Sequence, residues 1–205
     1  YYTSWVEPFA PASHAITDGS YDSIGSQGEP TLSFYIQMEL CDKNTLHDCI
    51  HLQEKTRDDY IHPVILSVVE AINYIHQKDI VHRDITPKNI FISKKGDIKL
   101  GDFGLAALKE KNLLTDENVV TATHLYQDPN NVDKRADIYS IGVILFEMTR
   151  VFKTGMERII TLQQIQELGH APETGSPYDT TIARCTRGEN RINIQQLKEL
   201  LIKQG

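Results

Sequence analysis

Seven residues at fixed spacing constrain this 205-residue chain more than anything else in it: His82-Arg83-Asp84, then Asn89, then Asp102-Phe103-Gly104. The first group follows a helical apolar pattern. The last follows a strand-like run, Ile98-Lys99-Leu100-Gly101. With each residue type at about 5% of usage, a chance match at seven positions is on the order of one in a billion. An Asp-Phe-Gly turn alone is a weak signal; the combination is a strong one.

Composition sets the frame around that pattern. The chain is 40% hydrophobic and 24% charged, as expected of a soluble globular protein with a sizeable core. Its net charge of −7 comes without a basic block, which gives no support to nucleic-acid or anionic-membrane binding. No apolar run approaches a membrane span; the best, Ile141 to Phe146, has polar neighbours. Cys41, Cys49 and Cys185 lack metal-ligand spacing and read as reduced thiols, so a cytoplasmic location is expected, with membrane tethering of a longer protein left open. The chain opens on Tyr1 with no signal-peptide pattern, so it is expected to be a piece of something longer.

The seven residues resemble the catalytic loop His-Arg-Asp-x-x-x-x-Asn and the Asp-Phe-Gly metal-binding turn of protein kinases. The resemblance implies transfer of the ATP γ-phosphate, catalysed mostly by positioning and by neutralising charge. Asn89 and Asp102 would hold Mg²⁺, a hard cation suited to oxygen ligands. Asp84 would orient the attacking hydroxyl and accept its proton. Phe103 would plug into the core beside His82, and Gly104 permits a turn that a Cβ would hinder.

Along the chain, Tyr1 to Glu7 and Leu32 to Leu40 read as strands flanking a Pro-, Gly- and Ser-rich insert over about residues 8–30, as in a hairpin. Thr45 to Leu52 reads as a short helix. Apolar residues at 61, 64, 65, 68, 69, 72 and 75 mark a core-facing helix. Short strands follow around Ile90-Phe91-Ile92 and Ile98-Lys99-Leu100, then a polar loop from Asp102 to Asn130. Helices are expected at Lys134 to Arg150, Glu157 to Leu168 and Asn193 to Lys203. This order resembles a mostly helical C-terminal kinase lobe (residues 41–205) with a truncated β remnant of the N-terminal lobe (residues 1–40), an α+β, protein-kinase-like fold.

Within kinases, the resemblance is to the family phosphorylating the α-subunit of translation initiation factor 2. The Tyr1-to-Glu7 strand with its insert, Asp137 to Met148, and Thr154-Gly155-Met156-Glu157-Arg158 carry it. It implies a serine/threonine kinase using ATP and Mg²⁺, with that subunit as protein partner and a homodimer through missing N-terminal parts. Met38 would be the gatekeeper, Glu39 and Cys41 the hinge, and Phe91 the floor of the adenine pocket. Asp137 would anchor the catalytic loop. Thr154, Glu157 and Arg158 would dock the substrate, although Thr154 also stands where a capping box places its threonine. Thr123, or else Thr121, would be phosphorylated and pair with Arg83.

The chain departs from the family pattern in three places. No Gly-rich loop, strand lysine or partner glutamate precedes the motifs. Thr86 replaces the lysine that touches the γ-phosphate, while Lys88 stands where tyrosine kinases place an arginine; a compensating cation and a solvated surface lysine are equally open readings. Gln127-Asp128-Pro129-Asn130 replaces Ser-Pro-Glu, removing the glutamate that pairs with the arginine at position 191, and Ala122 replaces a glycine. These departures support an alternative, a pseudokinase acting as a docking module.

Overall fold

The structure is a computed structural model that describes residues 3–8, 32–37, 44–51, 58–93, 95–101, 122–188 and 190–205. The chain divides into two compact units, Tyr1–Leu40 and Cys41–Gly205.

In the first unit, β1 (Thr3–Pro8) pairs antiparallel with β2 (Leu32–Gln37). The register sets Trp5 opposite Tyr35 and Val6 opposite Phe34, aromatic and β-branched pairs that favour a pleated ladder. The expected hairpin pairing is therefore present. Pro8, expected in the insert, is instead the last residue of β1, a position an edge strand tolerates. The rest of the insert and the expected continuation of β2 to Leu40 lie outside the described residues.

The second unit is built around helices. Thr45, expected inside the first of them, is its cap: α1 (Leu46–His51) starts where Thr45 N–H and Oγ1 donate to Asp48 Oδ2, at 2.9 and 2.7 Å. In α2 (Asp58–His76) the seven apolar residues at helical spacing are all buried. Helix α3 (Lys134–Met148) is buried at every residue from Ala136 onward, the pattern of a helix enclosed on all sides. It packs against α2 and a later helix, and ends two residues before the expected Arg150.

Three more helices complete the unit: α4 (Gly155–Leu168), α5 (Asp179–Thr186) and α6 (Ile194–Gln204). Helix α6 opens on a capping box, with Gln196 N–H donating to Asn193 Oδ1 and Asn193 N–H to Gln196 Oε1. Helix α5 escapes sequence reading because its inner face is partly polar. Thr181 and Thr186 are buried beside Ile182 and Cys185, and their hydroxyls donate to Gln204 Oε1 and to the Ile182 carbonyl. Satisfied in this way, a threonine can lie in the core at little cost.

Gly142 sets the distance between α3 and α5. A Cβ there would lie 2.5 Å from Cys185 Cβ, and Cys185 is fully buried. Burial also pushes the Cys185 thiol pKa up to about 12. Gly142→Ala is expected to lower stability by about 1–3 kcal/mol through overpacking. Urea unfolding should show a lower midpoint at unchanged slope. An unchanged midpoint would mean that α3 and α5 separate easily.

Candidate active site

The loop carrying His82-Arg83-Asp84 follows α2 and is held by one carboxylate. Asp137, wholly buried in the first turn of α3, accepts three hydrogen bonds. His82 N–H donates to Oδ2 at 2.9 Å, Arg83 N–H to Oδ1 at 2.8 Å, and His76 Nε2 to Oδ2 at 2.7 Å. The loop needs this hold, because Arg83 has a φ of +64°, a conformation costing a side-chain-bearing residue roughly 1–2 kcal/mol. Asp137 thus does what the sequence expects of it.

Two further bonds set the histidine and the strand beside it. Asp84 N–H donates to His82 Nδ1 at 3.3 Å, which places the ring proton on Nε2, and Nε2 donates to the Gly101 carbonyl at 3.1 Å. The strands β3 (Ile90–Ile92) and β4 (Ile98–Leu100) form the expected short hairpin. Gly101 follows β4 and is pressed against Phe91; a Cβ at 101 would lie 2.6 Å from that ring. Phe91 itself is half-buried and bridged through its backbone to Thr45.

Asp84 and Asn89 are brought together. Asp84 is buried, and Asn89 Nδ2 donates to its carbonyl at 2.8 Å and to Oδ2 at 3.2 Å. The short 3₁₀ turn Pro87–Asn89 makes that reach possible, and the Asn89 carbonyl accepts from Gly101 N–H at 2.9 Å. Thr86 is buried just before the turn, and Lys88 is exposed within it. Asp102 and Phe103 lie outside the described residues, as do Met38, Glu39, Cys41 and Thr121. Thr123 falls in a second 3₁₀ turn, Ala122–Tyr126, within what was expected to be loop, and its side chain is not described.

Of the expected docking residues, two are at the surface and one is not. Thr154 is exposed and caps α4, accepting from Glu157 N–H at 3.0 Å, so the helix starts earlier than expected. Glu157 returns its carboxylate to the Lys153 N–H at 2.8 Å. Arg158 is a correction: it is buried, with Nε donating to Glu147 Oε1 and Nη2 to the Tyr126 hydroxyl. Tyr126 in turn donates to Glu147 Oε2. Despite its burial, Arg158 is held above its usual pKa by Tyr126 and Glu147. Burial pushes Tyr126 well above the ordinary tyrosine value, with the Glu147 charge adding to it. Glu147 was legible in principle as the one carboxylate inside the apolar run after Ile141.

Asp128, in the segment that replaces Ser-Pro-Glu, turns inward. It pairs with Arg191 Nη1, the two side chains being 0% and 2% exposed. Arg191 also donates to the Arg135 carbonyl at 2.9 Å and lies 5.1 Å from the Tyr139 ring centre. The arginine at 191 therefore has a carboxylate partner despite the missing glutamate.

Comparison with known families places a protein kinase domain over residues 22–199. The chain belongs to the protein kinase family. Among curated relatives, it is 31% identical over 196 residues to eukaryotic translation initiation factor 2-alpha kinase 3 of Bos taurus, covering 84% of this chain and 17% of that protein. It is 40% identical over 154 residues to an eIF-2-alpha kinase of Schizosaccharomyces pombe, covering 65% and 10% respectively. With the interferon-induced, double-stranded RNA-activated protein kinase of Rattus norvegicus it shares 34% over 162 residues, covering 73% and 31%. The chain thus spans less than a third of the length of these relatives.

Kinases of this family use ATP and Mg²⁺, and the described part of the site fits a hard cation. The Asn89 amide nitrogen is committed to Asp84, which leaves its Oδ1 available, and an amide oxygen beside a carboxylate suits Mg²⁺. The Asp128–Arg191 pair ties the segment after Tyr126 to the residues before α6. Asp128→Ala is expected to cost about 3–5 kcal/mol by stranding a buried guanidinium. Adding Arg191→Met should recover most of that loss in thermal unfolding. Equal losses in the single and double variants would show that the two side chains do not depend on each other.

Proposed function

We propose that this chain is the catalytic part of a serine/threonine kinase that transfers the γ-phosphate of ATP, with Mg²⁺, to a serine of the α-subunit of translation initiation factor 2. The observation that carries the reading is the Asp84–Asn89 pair, two polar groups fixed on one loop by hydrogen bonds rather than by packing alone. Asp84 orients the substrate hydroxyl and takes its proton; Asn89, with Asp102, would hold Mg²⁺, which would supply charge neutralisation for the phosphate. The exposed Lys88 lies on the same loop and offers a cation where Thr86 cannot.

The choice of substrate rests on the named relatives and on α4. Its first turns expose Met156, Ile159 and Ile160, an apolar strip at helical spacing beside Thr154. Such a strip suits docking of a folded protein away from the reacting hydroxyl, where binding energy is converted into positioning. Thr86, buried where kinases carry a lysine, favours the second reading, a docking module with weakened transfer.

In the full-length protein, Asp84→Asn is expected to lower kcat by about 10²–10⁴-fold, the usual contribution of a positioned base, while leaving thermal unfolding unchanged. A wild type with no transfer at all would favour the docking module. Ile160→Glu should impair phosphorylation of the folded α-subunit and leave a short serine peptide unaffected. Equal loss on both would mean that α4 serves the fold and not the substrate.

A further inference from the structure

A cavity of about 240 Å³ opens at the start of α4, between that helix and α1. His51, Arg150, Lys153 and Arg158 contribute its polar lining along with Thr154, and Phe152 is part of its wall. Among the described residues no carboxylate lines it, although the chain as a whole carries a net charge of −7. Three acids near it are committed elsewhere. Glu157 accepts from the Lys153 N–H, Glu147 is buried against Arg158 and Tyr126, and Asp48 is turned into the cap of α1. Arg150 sits over two aromatic rings, 5.4 Å from the centre of Phe146 and 5.7 Å from that of Phe152. Among the described residues, neither the Arg150 guanidinium nor the Lys153 ammonium has a carboxylate partner.

Helix α1 carries a second ring beside His51. His47 lies one turn before His51 on α1, and the two rings meet edge to face at 4.1 Å. Burial, with the nearby charges of Lys88 and Arg158, lowers the His47 pKa from its usual value. Lys88, on the loop of Asp84, and Arg158, at the cavity, thus both lie within electrostatic reach of His47.

We infer that this cavity is a specificity subsite that takes an anionic side chain, carboxylate or phosphate, from the protein substrate at a position near its acceptor hydroxyl. The inference rests on the kinase reading above and adds a substrate feature to it. The rings fix Arg150 at little entropic cost, so that its N–H groups and the Lys153 ammonium can form charge-assisted hydrogen bonds to an incoming oxyanion. The apolar docking strip on α4 and this pocket then read different parts of one partner.

The test uses fluorescent serine peptides carrying a single glutamate, phosphoserine or alanine at successive positions around the acceptor. Their binding to the full chain is read by fluorescence anisotropy, which needs no phosphoryl transfer. At one position, an anionic residue is expected to bind about tenfold tighter than alanine. That ratio should fall to near unity in Lys153→Glu and in Arg150→Ala/Lys153→Ala, each checked for folding by thermal unfolding. Lys153 is exposed, so the single variant guards against a folding defect. Phosphoserine binding more tightly than glutamate would assign the site to phosphate, and equal binding would assign it to either anion. The inference is overturned if no position favours an anion, or if the preference survives in both variants. Because the peptides need not come from a translation factor, such a failure would leave the proposed substrate untouched.

Discussion

The Asp137 carboxylate is the interaction on which the site depends. It draws two consecutive backbone N–H groups and the His76 ring to one point inside the helical core. Without that point, the left-handed turn at Arg83 would relax, because nothing local favours it. Asp84 is the next residue, so its direction follows from where Asp137 sits. Since α3 is enclosed on every side, a rigid core helix supplies the reference frame for a loop that must stay polar. A low-dielectric setting strengthens each of these bonds and penalises any that is left unmade.

A second set of buried polar contacts holds the turn Ala122–Tyr126. Ser140 Oγ donates to the Tyr126 carbonyl from α3. From α4, Arg158 reaches the Tyr126 hydroxyl, and Gln166 Nε2 donates to the carbonyls of His124 and Gln127. Asp128 then ties the chain to Arg191 just before α6. Two helices and the segment before α6 therefore converge on a stretch that composition alone suggests is loose. A buried ionic group persists only when it is paired and hydrogen-bonded, and here each one is.

The parts legible in the sequence were those with a period or a motif. Helix α2 follows from its apolar spacing, α3 from its unbroken apolar run, and the β3–β4 hairpin from two short strands about the turn at Lys94 to Asp97. The juxtaposition of Asp84 and Asn89 follows from a motif whose spacing has one compact solution. Arg158 was misjudged because an arginine near an exposed helix start is usually solvated, and only the distant Glu147 and Tyr126 reveal otherwise. The inward turn of Asp128 is likewise not legible, since its partner is 63 residues away in sequence. Helix α5 stayed hidden because buried threonines, bonded to Gln204 Oε1 and to the Ile182 carbonyl, leave no apolar stripe. Long-range polar pairing has no local signature.

The contact of Gly142 with Cys185 carries a consequence for how this chain can drift. The space shared by the two positions holds one small side chain and no more, so their combined volume is capped even though each is chemically undemanding. Any enlargement at 142 would have to be matched by a reduction at 185, and a thiol is already close to the smallest group that fills its side of the gap. The two helices are thus locked in a volume exchange with almost no room to trade. Sequence change in this lobe is steered away from that crossing and towards the solvent faces of α4 and α6.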